Sequence, residues 1–186
     1  MKRKKHGCLR SLLIVLLTFC VLYFAVGEGK TVILKKIYPI EYGELVEACA
    51  EEFSLDKNLV YAVIKVESNF DPDAVSVVDA KGLMQLVDET AEECNRLGKF
   101  GYNILEDIYS PDCNIRLGCS YISRLFEKYK DMRLAVAAYN AGVGNVDKWL
   151  LEDSELKDIP YKETRNYVKK VFGAFERYNS LYKTNE

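Results

Sequence analysis

The stretch Lys57-Asn58-Leu59-Val60-Tyr61-Ala62-Val63-Ile64-Lys65-Val66-Glu67-Ser68 decides how this chain folds. Asp56, immediately ahead of it, has the short carboxylate that accepts from the free N–H groups of a helix's first turn. Wound as a helix, the segment has apolar side chains around most of its circumference, the pattern of an element buried in the middle of a domain. Leu59, Val60, Val63 and Ile64 form one face. Glu67 stands three and four residues beyond Ile64 and Val63, so it continues that face. A carboxyl held against apolar side chains loses solvation, and its pKa climbs until a protonated acid persists near neutral pH.

Helical spacing extends outward from this segment in both directions. Glu44 to Phe53 reads as an amphipathic helix, and Asp88 or Glu89 to Leu97 as another. Pro111 and Asp112 open a longer one, with Ile115, Gly118, Ile122, Leu125, Phe126 and Tyr129 at helical spacing. Met132 to Ala141 follows and stops at Gly142. The last runs from about Tyr161 to Tyr182, striped by Val168, Val171, Phe172, Phe175 and Tyr178. No long alternating strand pattern and no internal repeat interrupts the series. A chain of 186 residues has room for one ordinary domain. The expectation is a single all-α, or mostly α, domain.

Composition removes several function classes. The one histidine, His6, lies among the first residues, so the body has no imidazole for a Ser–His or Cys–His triad or an H-E-x-x-H zinc site. Acid–base chemistry is left to carboxylates, tyrosines, lysines or cysteines. All five charged residues of the first ten are basic, which leaves 21 basic against 28 acidic side chains, a net of −7, for the remainder. So acidic a body is a poor partner for nucleic acid. Of the six cysteines, Cys49, Cys94, Cys113 and Cys119 fall in the body at spacings that match no zinc or redox motif. They read as small core residues. Outside the cell one pair could oxidise, with the pairing left open.

The amino-terminal third divides by charge. Residues 1–10 form a basic cytoplasmic tail, and 11–26 an uncharged run of Leu, Ile, Val and Phe. That run is slightly short of the roughly 20 residues that span a bilayer, but Leu9 and its neighbours extend it. Cations before it and Glu28 after it predict the N-terminus inside and the body outside. A cleaved signal peptide competes, since Ala25-Val26-Gly27 places small residues where a signal peptidase acts; the length and leucine content of the run favour a retained anchor. Phe19 is too bulky for Cys20 to be a lipidation site. Residues 27–43, punctuated by Gly27, Gly29, Pro39 and Gly43, read as a linker. The domain proper is 44–183.

Around Glu67 stands an ordered set of motifs. Glu67-Ser68-Asn69-Phe70 is followed by Asp73-Ala74-Val75-Ser76, then by Ala80-Lys81-Gly82-Leu83-Met84-Gln85-Leu86. Later come Pro111-Asp112-Cys113-Asn114-Ile115-Arg116-Leu117-Gly118, Ala137-Ala138-Tyr139-Asn140-Ala141-Gly142 and Glu163-Thr164-Arg165-Asn166-Tyr167-Val168. In this order and at these gaps, across residues 44–180, the set resembles the catalytic domain of the lytic transglycosylases, the family related to soluble lytic transglycosylases and goose-type lysozyme. The resemblance implies a lysozyme-like fold with a groove for peptidoglycan glycan strands. It implies Glu67 as the sole acid–base, cleaving the bond from N-acetylmuramic acid to N-acetylglucosamine and closing a 1,6-anhydro ring on the muramic acid. Ser76, Met84 and Gln85 would line the groove, Tyr139 would bring its hydroxyl close to Glu67, Asn140 would shape the adjoining turn, and Glu163 would add a further groove residue. Asn114 reads as structural. The mechanism requires no metal and no cofactor, and the chain is taken as a monomer whose partners are the glycan strands and, through 11–26, the membrane.

Two positions depart from the family's pattern, which has Gly where Asp79 stands and Pro where Asp88 stands. Asp79 implies either a different loop conformation or an extra carboxylate near the groove, and Asp88 is an acceptable helix-start residue. Three other readings stay open. One is a muramidase that uses water, assisted by Asp71, Asp73 or Asp79. Another is a non-catalytic peptidoglycan-binding or scaffold module of an envelope machine, and the third is a helical membrane-anchored adaptor that binds no sugar.

Overall fold

The computed structural model describes residues 29–153, 156 and 158–182. The chain divides into two units, residues 1–39 and 40–186. In the first, residues 29–37 are helical (α1), where the sequence predicts an irregular linker over 27–43. Pro39 follows this stretch, and Tyr38 N–H closes its last turn on the Leu34 carbonyl at 2.8 Å. The predicted membrane segment at 11–26 lies outside the described residues. Among the described residues no helix is long and apolar enough to cross a membrane.

The second unit is mostly helical, as expected. It contains α2 (Gly43–Glu52), α3 (Lys57–Glu67), α4 (Asp88–Gly98), α5 (Ile104–Asp107), α6 (Pro111–Tyr129), α7 (Met132–Ala141), α8 (Val143–Glu152) and α9 (Lys162–Leu181). Among the described residues the only extended pairings are two isolated bridges, Val75 with Lys81 and Lys81 with Leu86. Asp56 Oδ1 accepts from Asn58 N–H at 2.8 Å and starts α3. Leu59, Val60, Tyr61, Ala62, Val63 and Ile64 are all buried, so α3 is the axis about which the unit packs. Its largest partner is α9: the Tyr61 and Tyr178 rings stack at 5.5 Å, and Asn58 donates to Asn179 at 2.8 Å.

Three elements differ from expectation, the first being α5, a single four-residue turn that the sequence reading does not contain. α8 has no counterpart in the sequence reading, because only Val146 and Trp149 turn inward, too few apolar anchors for a periodic signal. On α9 the buried face is Thr164, Tyr167, Val168, Val171, Ala174 and Tyr178, one turn longer at its start than the apolar stripe. Phe172 and Phe175 flank this face, half-buried. The extra turn carries Tyr167 toward the end of α3.

The segment between α3 and α4 is held from beneath by Asn114. Fully buried on α6, this side chain accepts from Met84 N–H at 2.7 Å and donates to the carbonyls of Lys81 at 3.0 Å and Ile108 at 2.9 Å. Gly82 lies so close that a Cβ there would meet Asn114 Nδ2 at 2.4 Å, and its φ of +75° is the second reason only glycine fits. Asn114→Ala would remove all three bonds and strand the buried Met84 N–H. Urea denaturation should register a loss of about 3 kcal/mol, at roughly 1 kcal/mol for each bond. A loss below about 1 kcal/mol would mean that the loop does not depend on Asn114.

Candidate active site

Glu67 is the last residue of α3, and its surroundings follow from how that helix ends. Ser68 N–H closes on the Ile64 carbonyl at 3.1 Å, while Ser68 Oγ donates to the Leu83 carbonyl at 2.8 Å and ties the helix end to the loop. Asn69 and Phe70 then take φ values of 54° and 69°, turning the chain back so that the Phe70 ring is buried near Tyr61. Glu67 is thereby left half-buried at the mouth of a cleft. Burial pushes its carboxyl up to about 7, against the opposing pull of a hydrogen bond from Tyr167. Tyr167 Oη donates to Glu67 Oε1 at 2.6 Å. Burial, and next the negative charge of Glu67, hold both Tyr167 and Tyr139 well above the ordinary tyrosine range, so both remain proton donors.

The cleft encloses about 440 Å³ and brings Ser76, Gln85, Tyr139, Asn140 and Glu163 together with Glu67. Ser76 Oγ accepts from the N–H groups of Val78 at 3.3 Å and Ala80 at 3.1 Å, which folds the loop tip. Gln85 Nε2 donates to the carbonyls of Ala74 and Gly82, both at 3.0 Å, so its nitrogen is committed to the loop. Tyr139 Oη donates to the Met84 carbonyl at 2.8 Å. Asn140 and Glu163 are exposed on the rim. Met84 is placed differently from the sequence expectation: its side chain is fully buried against Gly118 and absent from the cleft wall. Only its backbone serves the site, through Asn114 and Tyr139.

The sequence reading gave no role to two residues that matter here. Tyr167, not Tyr139, makes the direct bond to Glu67. Ser68 anchors the helix end. Both lie inside the quoted motifs, yet nothing in their spacing separates a buried tyrosine from a carboxylate's partner. Asp79 and Asp88 converge on one cation. Lys81 Nζ bonds Asp88 Oδ2 at 2.7 Å and lies 3.2 Å from Asp79 Oδ2. Asp79 has φ of 61°, so the loop keeps a conformation suited to glycine, and its exposed carboxylate turns to Lys81 instead of lining the cleft. A larger hollow of about 630 Å³, walled by Phe53, Leu55, Leu59, Phe126 and Phe175, lies toward the start of α3 and includes none of these site residues. Among the described residues no three His, Cys, Asp or Glu side chains are grouped to hold a metal.

Comparison with known proteins adds a family to this geometry. Residues 44–162 match the model of the transglycosylase SLT domain. The soluble lytic murein transglycosylase of Escherichia coli is 31% identical over 78% of this chain and 24% of its own length. The membrane-bound lytic murein transglycosylase C of Haemophilus influenzae is 32% identical over 71% of this chain and 39% of its own. Among solved structures, an inactive glutamate-to-glutamine mutant of the Pseudomonas aeruginosa lytic transglycosylase Slt superposes with a TM-score of 0.71 and 35% identity, over 77% of this chain and 24% of that one. The chain thus spans about a quarter of the length of the first curated relatives it matches.

A carboxyl whose pKa is raised on folding makes the native state bind its proton more tightly than the unfolded one. The associated stability is present below the unfolded value of 4.5 and is lost as the pH rises through about 7. Glu67→Gln should therefore leave stability nearly unchanged at pH 4 and raise it by up to about 3 kcal/mol at pH 8. Tyr167→Phe, which deletes the bond favouring the carboxylate, should move the Glu67 titration in a ¹³C NMR experiment further upward. A Glu67 that titrates like an exposed glutamate would contradict both.

Proposed function

Because this chain belongs to the transglycosylase SLT domain family, we propose that it cleaves the β-1,4 bond from N-acetylmuramic acid to N-acetylglucosamine in peptidoglycan, releasing a 1,6-anhydro end. The observation that carries this reading is a single carboxyl, Glu67, held near pKa 7 at the wall of the cleft. An acid of that strength is half-protonated at neutral pH, so it can give a proton and take one back with little penalty either way. The glutamate-to-glutamine change that accompanies an inactive relative points the same way.

Protonated Glu67 gives its proton to the bridging oxygen as the bond to the muramic acid C1 breaks. The sugar's own N-acetyl group covers the cationic carbon. The resulting carboxylate is stabilised by Tyr167 and then takes the proton of the same sugar's C6 hydroxyl, whose oxygen closes on C1. Proton and glycosyl group are both accounted for without water. The intramolecular attack has the advantage of a tethered nucleophile. Burial favours the acid form and Tyr167 the anion, and the two halves of the reaction need one each. Ser76, Gln85, Tyr139, Asn140 and Glu163 would hold the glycan. Gln85, with its nitrogen committed, offers its carbonyl oxygen to a sugar hydroxyl. Ser76 keeps its own O–H to donate. Met84 would act only by supporting the wall.

The hydrolytic alternative has less support: Asp71, Asp73 and Asp79 are not among the residues lining the cleft, and among the described residues only Glu67 and Glu163 bring carboxylates to it. The domain, 44–183, would work outside the cytoplasm on a retained anchor at 11–26, as a monomer and without a cofactor. A membrane-bound form among the relatives accords with that placement.

Digestion of purified sacculi tests the reading. Mass spectrometry should find anhydro-muramic ends, and Glu67→Gln should slow their release by about 10³-fold, within the usual worth of a general acid. The rate should fall by about tenfold per pH unit above 7, as the acid form is lost. Reducing muramic ends would instead establish a muramidase, and undiminished cleavage by Glu67→Gln would remove Glu67 from the mechanism.

A further inference from the structure

Three exposed β-branched side chains set the first unit apart. Val32, Ile33 and Ile37 on α1 are 55%, 60% and 46% exposed. On the other described helices a large apolar side chain so exposed stands singly, as Leu97, Leu105 and Leu151 do, and needs no partner. Three within two turns make a patch. The same helix carries Lys30, Lys35 and Lys36, all exposed, and residues 29–39 contain no Asp or Glu. Residues 40–186 hold 18 basic against 27 acidic side chains, a net of −9. Cations and exposed apolar groups are thus concentrated together on α1, while the rest of the chain from Ile40 onward is acidic.

How the two kinds of side chain interleave decides what can cover the patch. Ile33 and Ile37 stand one turn apart with Val32 beside them, and Lys36 falls between Val32 and Ile33 around the helix. A protein groove reads a helix by an unbroken apolar stripe, and here it would have to bury an ammonium group within that stripe. A second copy of α1 would bring three more lysines against these three. A lipid surface accepts both kinds. Apolar groups enter the acyl boundary, and lysine stems lie along them while their ammonium groups reach the headgroup phosphates. The place in the sequence agrees, since only Gly27 and Glu28 separate the uncharged run 11–26 from residue 29.

We propose that α1 docks on anionic phospholipid, with Val32, Ile33 and Ile37 in the acyl boundary and Lys30, Lys35 and Lys36 among the headgroup phosphates. This rests on the membrane anchoring proposed above, and goes beyond it by giving the segment after the anchor a ligand of its own. Each lysine near an anionic surface strengthens attachment about fivefold, so the three together give on the order of 100-fold. Five residues, 38–42, join α1 to α2, so α1 held at the bilayer keeps the catalytic domain on a short tether.

The full chain is reconstituted in vesicles of phosphatidylethanolamine with phosphatidylglycerol, and in vesicles of phosphatidylcholine alone. Trp149, the one tryptophan, is buried in α8, so Ile33→Trp adds a single new reporter. Phospholipids brominated in the upper acyl chain should quench this reporter in the anionic vesicles and leave wild-type Trp149 bright. Lys30→Glu, Lys35→Glu and Lys36→Glu together should cut the quenching by about threefold or more, as should phosphatidylcholine vesicles, with cleavage of soluble glycan strands unchanged. A reporter quenched by aqueous iodide and not by brominated lipid would leave α1 in water and overturn the docking. Equal lipid quenching in both vesicles and in the charge-reversed variant would overturn the recognition of anionic headgroups. Cross-linking of two chains through α1, in place of lipid quenching, would assign the patch to a second copy and overturn it too. A second arm fractionates cells. A soluble chain lacking residues 1–27 would overturn the anchoring and the docking with it, whereas an anchored chain with an unquenched reporter overturns the docking alone. Neither result touches the glycan chemistry of Glu67.

Discussion

The hydrogen bond from Tyr167 to Glu67 joins the two longest-range demands on this domain, since it connects the end of α3 with the first turns of α9. Burial alone would leave Glu67 a very weak acid, reluctant to release its proton. Full exposure would leave it ionised and unable to donate. Near 7 it does both. That balance requires α3 to be wrapped closely enough to strip water from its last residue, and it requires α9 to deliver a hydroxyl at 2.6 Å. The stacking of Tyr61 on Tyr178 and the bond from Asn58 to Asn179 hold the other end of the same helix pair. Packing at that end thus sets the register that brings Tyr167 to the carboxylate.

The opposite wall of the cleft is built without a sheet. In place of strand ladders, the segment after α3 is secured by side chains reaching its backbone: Ser68 to the Leu83 carbonyl, Asn114 to Lys81 and Met84, Tyr139 to Met84, Gln85 to Ala74 and Gly82. Lys81 adds an ion pair at each side, with Asp79 and Asp88. Asp79 is well exposed, so its pair contributes little to stability; the Asp88 pair is less exposed and closer. Both acids stand where the family pattern has an uncharged residue, and their shared attachment to Lys81 accounts for them together.

Much of this was legible before any coordinates. α3 declared itself through Asp56 and an apolar circumference, α7 through Met132 to Ala141 with its stop at Gly142, and Asn114 through its place behind Pro111. These are local signals, capping and periodicity, which a single chain records faithfully. What escaped was decided by partners distant in sequence. Met84 and Gln85 are adjacent, yet one side chain points into the core and the other to the cleft, because Gln85 takes a positive φ that no periodicity encodes. Tyr139 and Tyr167 both stand near one carboxylate, and only three-dimensional reach distinguishes the one that bonds it. α8 left almost no pattern, having two inward residues.

The strained backbone is concentrated where the chemistry is. Asn69, Phe70, Asp79 and Gln85 all occupy the left-handed region, within a segment that also needs Gly82 at φ +75°. Each non-glycine residue there costs about 1 kcal/mol or more. Four such costs in seventeen residues rival the roughly 3 kcal/mol that three Asn114 bonds contribute. The loop therefore cannot be stable by itself; it holds its shape only while α6 and α7 present Asn114 and Tyr139 beneath it. This dependence makes the cleft wall rigid at the point where a sugar would press on it, and it couples the wall to the same core that keeps Glu67 dry. Any loosening of α6 would then reach the acid through the Leu83 carbonyl and Ser68, so the seating of α6 against its neighbours is a condition of the chemistry as well as of the fold.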